Sequence, residues 1–259
     1  MYTVLCRRVL VQLSPPTRLL LLQRPSIGRR LRADAPDLLT LPDNNKSEHF
    51  QTTALPHYST MTKIAIVYYS TYGHLRTLAQ GIKTGLESAG ATVDMLQVPE
   101  TLPQEVLDKM GAPPKSDDEI VTADRLVEYD GIMFGVSGRY GGIPAQMKAF
   151  LDSTGGLWQK GALVGKPAGV FVSTGCQGGG QETSCVSVVH TMAHHGMVFV
   201  PLGYRDSKAF NVDEIHGGSP WGAGTIAAPT GARMPSQLEL DIAETQGKAF
   251  AGIVEKLAA

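Results

Sequence analysis

The feature that most narrows what this chain can fold into is the run Lys63-Ile-Ala-Ile-Val-Tyr-Tyr69, which passes directly into Ser70-Thr-Tyr-Gly-His-Leu75. An unbroken apolar stretch of strand length, rich in β-branched and aromatic side chains, breaks at a Ser/Thr/Gly cluster. An amphipathic segment from Leu75 to Ala89 follows. The pattern reads as a buried parallel strand, a tight loop and a helix. Such a loop aims unpaired main-chain N–H groups and the positive end of a helix dipole at one point, with the Ser70 and Thr71 hydroxyls beside them. The arrangement suits a phosphate, although the same pattern also serves merely to cap helices.

The absent residues narrow the kind of phosphate. No lysine follows Gly73 and there is no G-x-x-x-x-G-K-[ST], so nothing is in place for the γ-phosphate and magnesium work of a P-loop. No G-x-G-x-x-G follows this strand either, which argues against a dinucleotide on a Rossmann turn. A single phosphate monoester fits better.

Short apolar runs and helical patterns then alternate. Further strands are expected at Ala91–Val98 (more exposed, an edge candidate), Gly131–Val136, Pro167–Ser173 and Met197–Pro201. Helices are expected at Pro103–Met110, Pro144–Ser153, Gln181–His195 and Pro235–Leu257, with a helical turn at Asp124–Tyr129. Five strands separated by helical crossovers predict an α/β fold, a doubly wound parallel sheet with helices on both faces. Three of the strands end in small, polar, glycine-rich loops: 70–74, 137–142 and 174–180. Ligands of open α/β sheets bind beyond the carboxyl ends of the strands, where these loops would converge.

Residues 1–60 differ from the remainder. Between Met1 and Ala33 there is no Asp, Glu or Lys, while Arg7, Arg8, Arg18, Arg24, Arg29, Arg30 and Arg32 punctuate a leucine-rich run. This is transit-peptide composition, interrupted by Pro15, Pro16 and Pro25. A second reading is open: translation from Met61, with the upstream residues an over-extended gene model. The compartment is then cytoplasmic, or mitochondrial if the extension is genuine. Two domains of the chain are expected on this basis, a disordered extension at 1–60 and a folded domain at 61–259.

The net charge of −1 shows no basic excess, so nucleic acid is not expected as a partner. No apolar run reaches the roughly 18 residues of a membrane span. Cys6, Cys176 and Cys185 are odd in number and lack C-x-x-C spacing, so neither a disulfide framework nor a structural metal is expected. Neither Ser137 nor Ser173 lies in G-x-S-x-G, which argues against a hydrolase.

From Lys63 onward the chain resembles the flavodoxin-like NAD(P)H:quinone oxidoreductases once named tryptophan-repressor-binding proteins, and especially the fungal benzoquinone reductases and minor mould allergens among them. The stretches that carry the resemblance are Tyr68-Tyr-Ser-Thr-Tyr-Gly-His74, Phe150-Leu-Asp-Ser-Thr-Gly-Gly-Leu-Trp158, Ser173-Thr-Gly175 with Gly178-Gly-Gly-Gln-Glu182, Ala193-His-His-Gly-Met197, Val200-Pro-Leu-Gly-Tyr204 and Gly217-Gly-Ser-Pro-Trp-Gly-Ala223. The resemblance implies a flavodoxin-like fold, non-covalent FMN, NADH or NADPH as co-substrate, a quinone as acceptor and a homotetramer.

It also implies residue roles. Ser70, Thr71, Tyr72, Gly73, His74 and Leu75 would hold the FMN phosphate. Gly138, Arg139, Tyr140 and Gly141 would lie along the isoalloxazine. Ser173, Thr174, Gly175, Cys176, Gln177 and Gly178 would line its other polar edge, and His194 would contact the flavin or the ring stacked on it. Tyr72 and Trp158 would meet the nicotinamide nucleotide or the quinone, and together with His194 would form the catalytic set. The chemistry would be a two-electron, ping-pong reduction carried by the cofactor. Plainer roles exist for some of these: His194 and His195 can complement a helix dipole, Trp158 can be packing, and Cys176 can be inert.

The chain departs from the family at one point. Where the pattern runs Thr-Arg-Tyr-Gly-Asn, this sequence has Gly138-Arg-Tyr-Gly-Gly142. The loss of two polar side chains implies weaker FMN affinity or a shifted potential. A rival reading is a flavodoxin-like electron carrier or regulatory flavoprotein without turnover. Against it stand the long 203–234 segment, fit for a substrate cover or subunit contact, and the near-neutral charge.

Overall fold

A computed structural model of the chain describes residues 61–258. The expectations for residues 1–60 lie outside these. The first strand, β1 (Lys63–Tyr68), alternates strictly. Ile64, Ile66 and Tyr68 enter one apolar cluster with Leu75, Leu78, Ile82 and Phe250, while Ala65, Val67 and Tyr69 enter another with Phe134, Val172 and Val188. A strand buried on both faces must be apolar throughout, and that is why this run carries no polar alternation.

Around it lie α1 (His74–Ser88), β2 (Thr92–Gln97), α2 (Gln104–Lys109), β3 (Glu119–Ile120), β4 (Gly131–Ser137), α3 (Ala145–Ser153), α4 (Gly155–Lys160), β5 (Pro167–Thr174), α5 (Gln181–His194), β6 (Val198–Phe199), β7 (Gly224–Ile226) and α6 (Gln237–Ala258). Short 3-10 helices occupy Ala123–Glu128 and Ser207–Phe210. All belong to one compact unit.

Every ladder is parallel, in the order β3-β2-β1-β4-β5-β6, with β7 also on β5. The order reverses between β1 and β4, the switch point at which flavodoxin-like sheets bind their ligand. The expected doubly wound parallel sheet is therefore present, with seven strands among the described residues instead of five. The two extra strands have two and three residues, too short to give a periodic signal. The fifth expected strand is also shorter than 197–201. β6 pairs only with Pro167 and Ala168, and Pro201, having no N–H to donate, marks where the chain leaves the sheet. It returns as β7 beside Val172–Thr174, so two pieces share the outer edge of β5.

α1 and α6 cross closely over one face. A Cβ on Gly85 would overlap the carbonyl oxygen of Glu244, and one on Gly247 would overlap that of Ile82. The crossing fixes the start of α6 relative to the loop that begins α1. Among the described residues no helix is long and apolar enough to cross a membrane.

Candidate active site

The loops after β1, β4, β5 and β7 enclose a cleft of about 510 Å³, within the roughly 300–1,000 Å³ of small-molecule sites. Its first wall is the β1–α1 turn. Gly73 caps α1 in the left-handed conformation (φ 89°) with no side-chain cap, and its N–H is donated back to Ser70 Oγ at 3.1 Å. Among the described residues, the main-chain N–H groups of Thr71, Tyr72, His74 and Leu75 find no acceptor within the chain. Four free donors at a helix N-terminus form an anion cradle, and a phosphate monoester fits them.

This wall stands on an ionic footing. Lys115 Nζ donates to the Ser70 carbonyl at 3.1 Å and pairs with Glu100 at 2.7 Å. Glu100 also accepts from Tyr69 Oη at 2.8 Å and from Gln146 Nε2 at 2.9 Å. Burial alone would raise the Glu100 carboxyl, but the Lys115 ammonium, the Leu102 N–H, Tyr69 and Gln146 together hold it down at about 2. Beneath the other side of the loop, Arg76 Nε donates to Asp118 at 2.7 Å, and Tyr68 donates to the same carboxylate. Arg76 holds the Asp118 carboxyl below its ordinary value. Burial pushes Tyr69 up to about 12, with Glu100 adding to the rise.

Ser137, Gly138 and Arg139 line the cleft from β4, and Ser173, Thr174 and Gly175 line it from β5. Residues 139–142 form a tight turn closed by Arg139 N–H to Gly142 O at 2.9 Å and the reverse bond at 2.8 Å. Tyr140 (φ 51°) and Gly141 (φ 76°) are both left-handed, as a type I′ turn requires. An aromatic residue rarely holds that conformation, and here it places Tyr140 wholly in solvent. The Arg139 guanidinium contacts only its neighbour's carbonyl, Gly138 O at 3.0 Å, and among the described residues has no carboxylate partner. It is a free cation at the cleft.

The departure at Gly138 has a steric counterpart. A Cβ there would come within 2.8 Å of Thr174 Cγ2, whereas one on Gly142 would meet nothing nearer than 3.6 Å.

The far wall is the segment 227–231 after β7, which the sequence offered only as part of a possible cover. Met110 and Gly111, at the end of α2, also line the cleft, and Tyr72 Oη donates to Met110 O at 3.2 Å. None of these residues stands out in the sequence. One relevant signal was local: Ser236-x-x-Glu239 is a capping box, with Ser236 N–H on Glu239 Oε2 at 2.9 Å and Glu239 N–H on Ser236 Oγ at 3.3 Å. The fully buried Glu239 carboxylate does more than cap. It also accepts from Gly217 N (2.9 Å), Ile226 N (3.2 Å), Thr225 Oγ1 (2.8 Å) and Arg233 Nη1 (2.9 Å), and so ties the returning chain to α6.

Of the expected site residues, Ser70, Thr71, Tyr72, His74, Leu75, Gly138, Arg139, Ser173, Thr174 and Gly175 meet in the cleft. Gly73 belongs to the same turn but faces an adjoining hollow beside Pro113–Ser116. Cys176, Gln177 and Gly178 line a neighbouring open hollow with His216 and Ser219. Tyr140 and Gly141 stand beyond the cleft lining.

His194 and Trp158 do not line this chain's own cleft. α5 begins at the cleft and runs back along the sheet, so His194, at its last residue, lies about 20 Å away at the strands' amino edge. Trp158, on α4 and 59% exposed, lies likewise beyond the far end of α3. The sequence motif holds two histidines, and the structure separates them. His195 is buried, with Nε2 2.8 Å from Thr154 Oγ1. That hydroxyl donates to Leu151 O at 2.6 Å, so His195 is the donor in the pair and carries its proton on Nε2. Burial, with His194 adding to the effect, lowers its pKa.

Fold and cleft together define a flavodoxin-like mononucleotide-binding protein. Residues 62–210 match the model of the NADPH-dependent FMN reductase family, and the chain belongs to that family. It is 57% identical over 198 residues to a quinone-oxidoreductase of Triphysaria versicolor, covering 76% of this chain and 97% of the relative. It is 56% identical, also over 198 residues, to the minor allergen Alt a 7 of Alternaria alternata, covering 75% and 97%. An NAD(P)H quinone oxidoreductase of Candida albicans is 57% identical over 198 residues, covering 75% of this chain and 69% of the relative. Among solved structures, a flavodoxin, WrbA-like protein from Agrobacterium tumefaciens superposes with a TM-score of 0.53 at 22% identity, covering 75% and 98% of the two chains, a likeness of fold.

Proposed function

We propose that this chain is an FMN-dependent NAD(P)H:quinone oxidoreductase. The observation that carries the reading is the array of four free N–H groups at the α1 N-terminus, set at the β1/β4 switch point of a chain in the FMN reductase family. The names of the relatives in Triphysaria and Candida supply the acceptor class. FMN held in this cleft would supply the redox chemistry, a two-electron transfer from NAD(P)H to a quinone.

The chain's own residues bind and orient. Ser70 to Leu75 hold the phosphate through main-chain N–H groups and the two hydroxyls. Gly138 and Arg139 on one side, and Ser173 to Gly175 on the other, would flank the ring, and the Arg139 cation would favour negative charge on it. Tyr72, 42% exposed at the rim, offers an aromatic face to the incoming nicotinamide or quinone. Because one cleft receives both substrates, they exclude each other and turnover is ping-pong.

His194 and Trp158 act only in trans in this reading, against the cleft of another copy in a homotetramer. Light scattering on the holoprotein checks that assembly, and a monomer removes both residues from the catalytic set. We place the protein in the cytoplasm. Fluorescent fusions of the full chain and of the chain from Met61 test this, and mitochondrial import of only the former reverses it.

The function itself is tested by adding FMN to the purified chain and recording its visible spectrum anaerobically, after NADH or NADPH and then after benzoquinone. Bleaching by one nucleotide and recovery with the quinone are expected. Bound flavin that never bleaches points instead to an electron carrier.

A further inference from the structure

The two walls of the cleft meet through one side chain. His74 is the first residue of α1, and its main-chain N–H is one of the free donors of the phosphate cradle. His74 is buried, and its imidazole reaches across 157 residues of sequence, with Nε2 2.8 Å from the carbonyl oxygen of Gly231. A carbonyl only accepts, so the ring carries its proton on Nε2.

The segment it reaches is built as a hinged piece. It is anchored at its base, where Ala227 N–H donates to Thr174 O at 2.8 Å and Arg233 N–H donates to Ala227 O at 3.2 Å. Between these anchors, Ala228 and Gly231 form a turn closed by Gly231 N–H to Ala228 O at 3.0 Å, with Pro229 and Thr230 exposed at its tip. Ala228 holds a left-handed φ of 64°, a conformation that disfavours any residue with a Cβ and persists only where surrounding contacts over-determine it. Among the described residues, the His74 bond is the one hydrogen bond from the tip to the opposite wall.

We propose that residues 227–231 form a flap that retains FMN, and that His74 is a positioning residue that latches it. The proposal rests on the FMN reading above. One residue thus joins phosphate capture to closure: its main chain faces the phosphate while its ring holds the flap. Release of the cofactor requires the Nε2–H bond to Gly231 to break first.

The test loads the holoprotein with FMN, dilutes it into excess apo-flavoprotein that captures free FMN, and follows release by fluorescence. His74→Ala is expected to speed release about three- to tenfold, the worth of one hydrogen bond. His74→Gln, whose amide nitrogen can stand near the place of Nε2, is expected to stay within about twofold of the wild type. Equal release from His74→Ala and the wild type overturns the latch. So does His74→Gln releasing as fast as His74→Ala, since a purely structural loss would not be rescued. If His74→Ala does not fold, hydrogen exchange on the wild-type chain decides: FMN must slow the amides of residues 228, 230 and 231, and unchanged exchange there overturns the flap. A wild-type chain that binds no FMN is recognised before any variant is made, and it removes the FMN reading and this proposal together.

Discussion

The two walls of the cleft are made in opposite ways. The β1–α1 wall is a continuous stretch of chain whose form follows from its own residues: a β-branched run, a left-handed Gly73 and a helix with an open N-terminus. The 227–231 wall has no such local cause. It stands where it does because the chain leaves the sheet after β6, loops away and is drawn back by the buried carboxylate of Glu239. The first wall can therefore lose function without losing the fold, and the second can be lost only with part of the fold.

The largest expected effect tests that difference directly. Glu239→Gln removes the charge that answers Arg233 and leaves donors from Gly217, Thr225, Ile226 and Ser236 competing for one amide oxygen. Breaking a buried pair of this kind costs about 3–5 kcal/mol, read as a drop in the urea midpoint with flavin affinity falling alongside. Ser70→Ala on the first wall loses the Gly73 N–H acceptor and a hydroxyl offered to the phosphate. It is expected to cost less than about 1 kcal/mol of stability while weakening FMN binding. If Glu239→Gln weakens FMN while leaving stability untouched, the contrast between the walls is wrong.

A smaller effect comes from the footing of the first wall. The folded-state pKa of Glu100, about 2, lies below its ordinary value of 4.5. The unfolded chain therefore takes up the proton first on acidification. The stability that the Lys115–Glu100 pair contributes is complete above pH 4.5 and is lost as pH falls from there toward 2. Denaturation midpoints measured across this window should decline in the wild type. They should decline less steeply in Glu100→Gln, which starts lower at neutral pH. Parallel slopes would show that Glu100 is not the group responsible.

The smallest effect sharpens the reading of the β4 loop. Gly142 has room for a side chain and Gly138, against Thr174, does not. Gly142→Asn is expected to fold normally and to tighten FMN by up to one hydrogen bond, about 0.5–1.5 kcal/mol, measured by fluorescence titration. Gly138→Thr is expected to displace Thr174 and weaken the site. Tighter binding by Gly138→Thr would show that Thr174 yields.

What could be read in advance follows the same division. The strands β1, β4 and β5, the helices α1, α5 and α6, and the three strand-end loops carry their own periodicity or turn chemistry, and each falls where the sequence places it. Two things lay beyond local pattern. β3 and β7 are too short for any pattern, and they exist because β2 and β5 have edges to pair with. His194 and Trp158 sit in motifs shared with a family of flavin enzymes, yet a motif does not say at which end of a helix its residues stand relative to a cleft. In this chain α5 carries His194 away from the cleft, and His195 turns inward to Thr154.

By itself the sequence determined the parallel α/β sheet, the switch-point position of the ligand loops and the kind of anion they suit, because hydrophobic period, glycine conformation and helix ends are local properties. Only the tertiary structure decided that the cleft has a second wall, that Glu239 holds it and that His74 bridges to it. These depend on contacts between residues up to 157 positions apart, and such contacts form only once α1 and α6 have packed glycine against backbone and fixed both ends of the site in one frame.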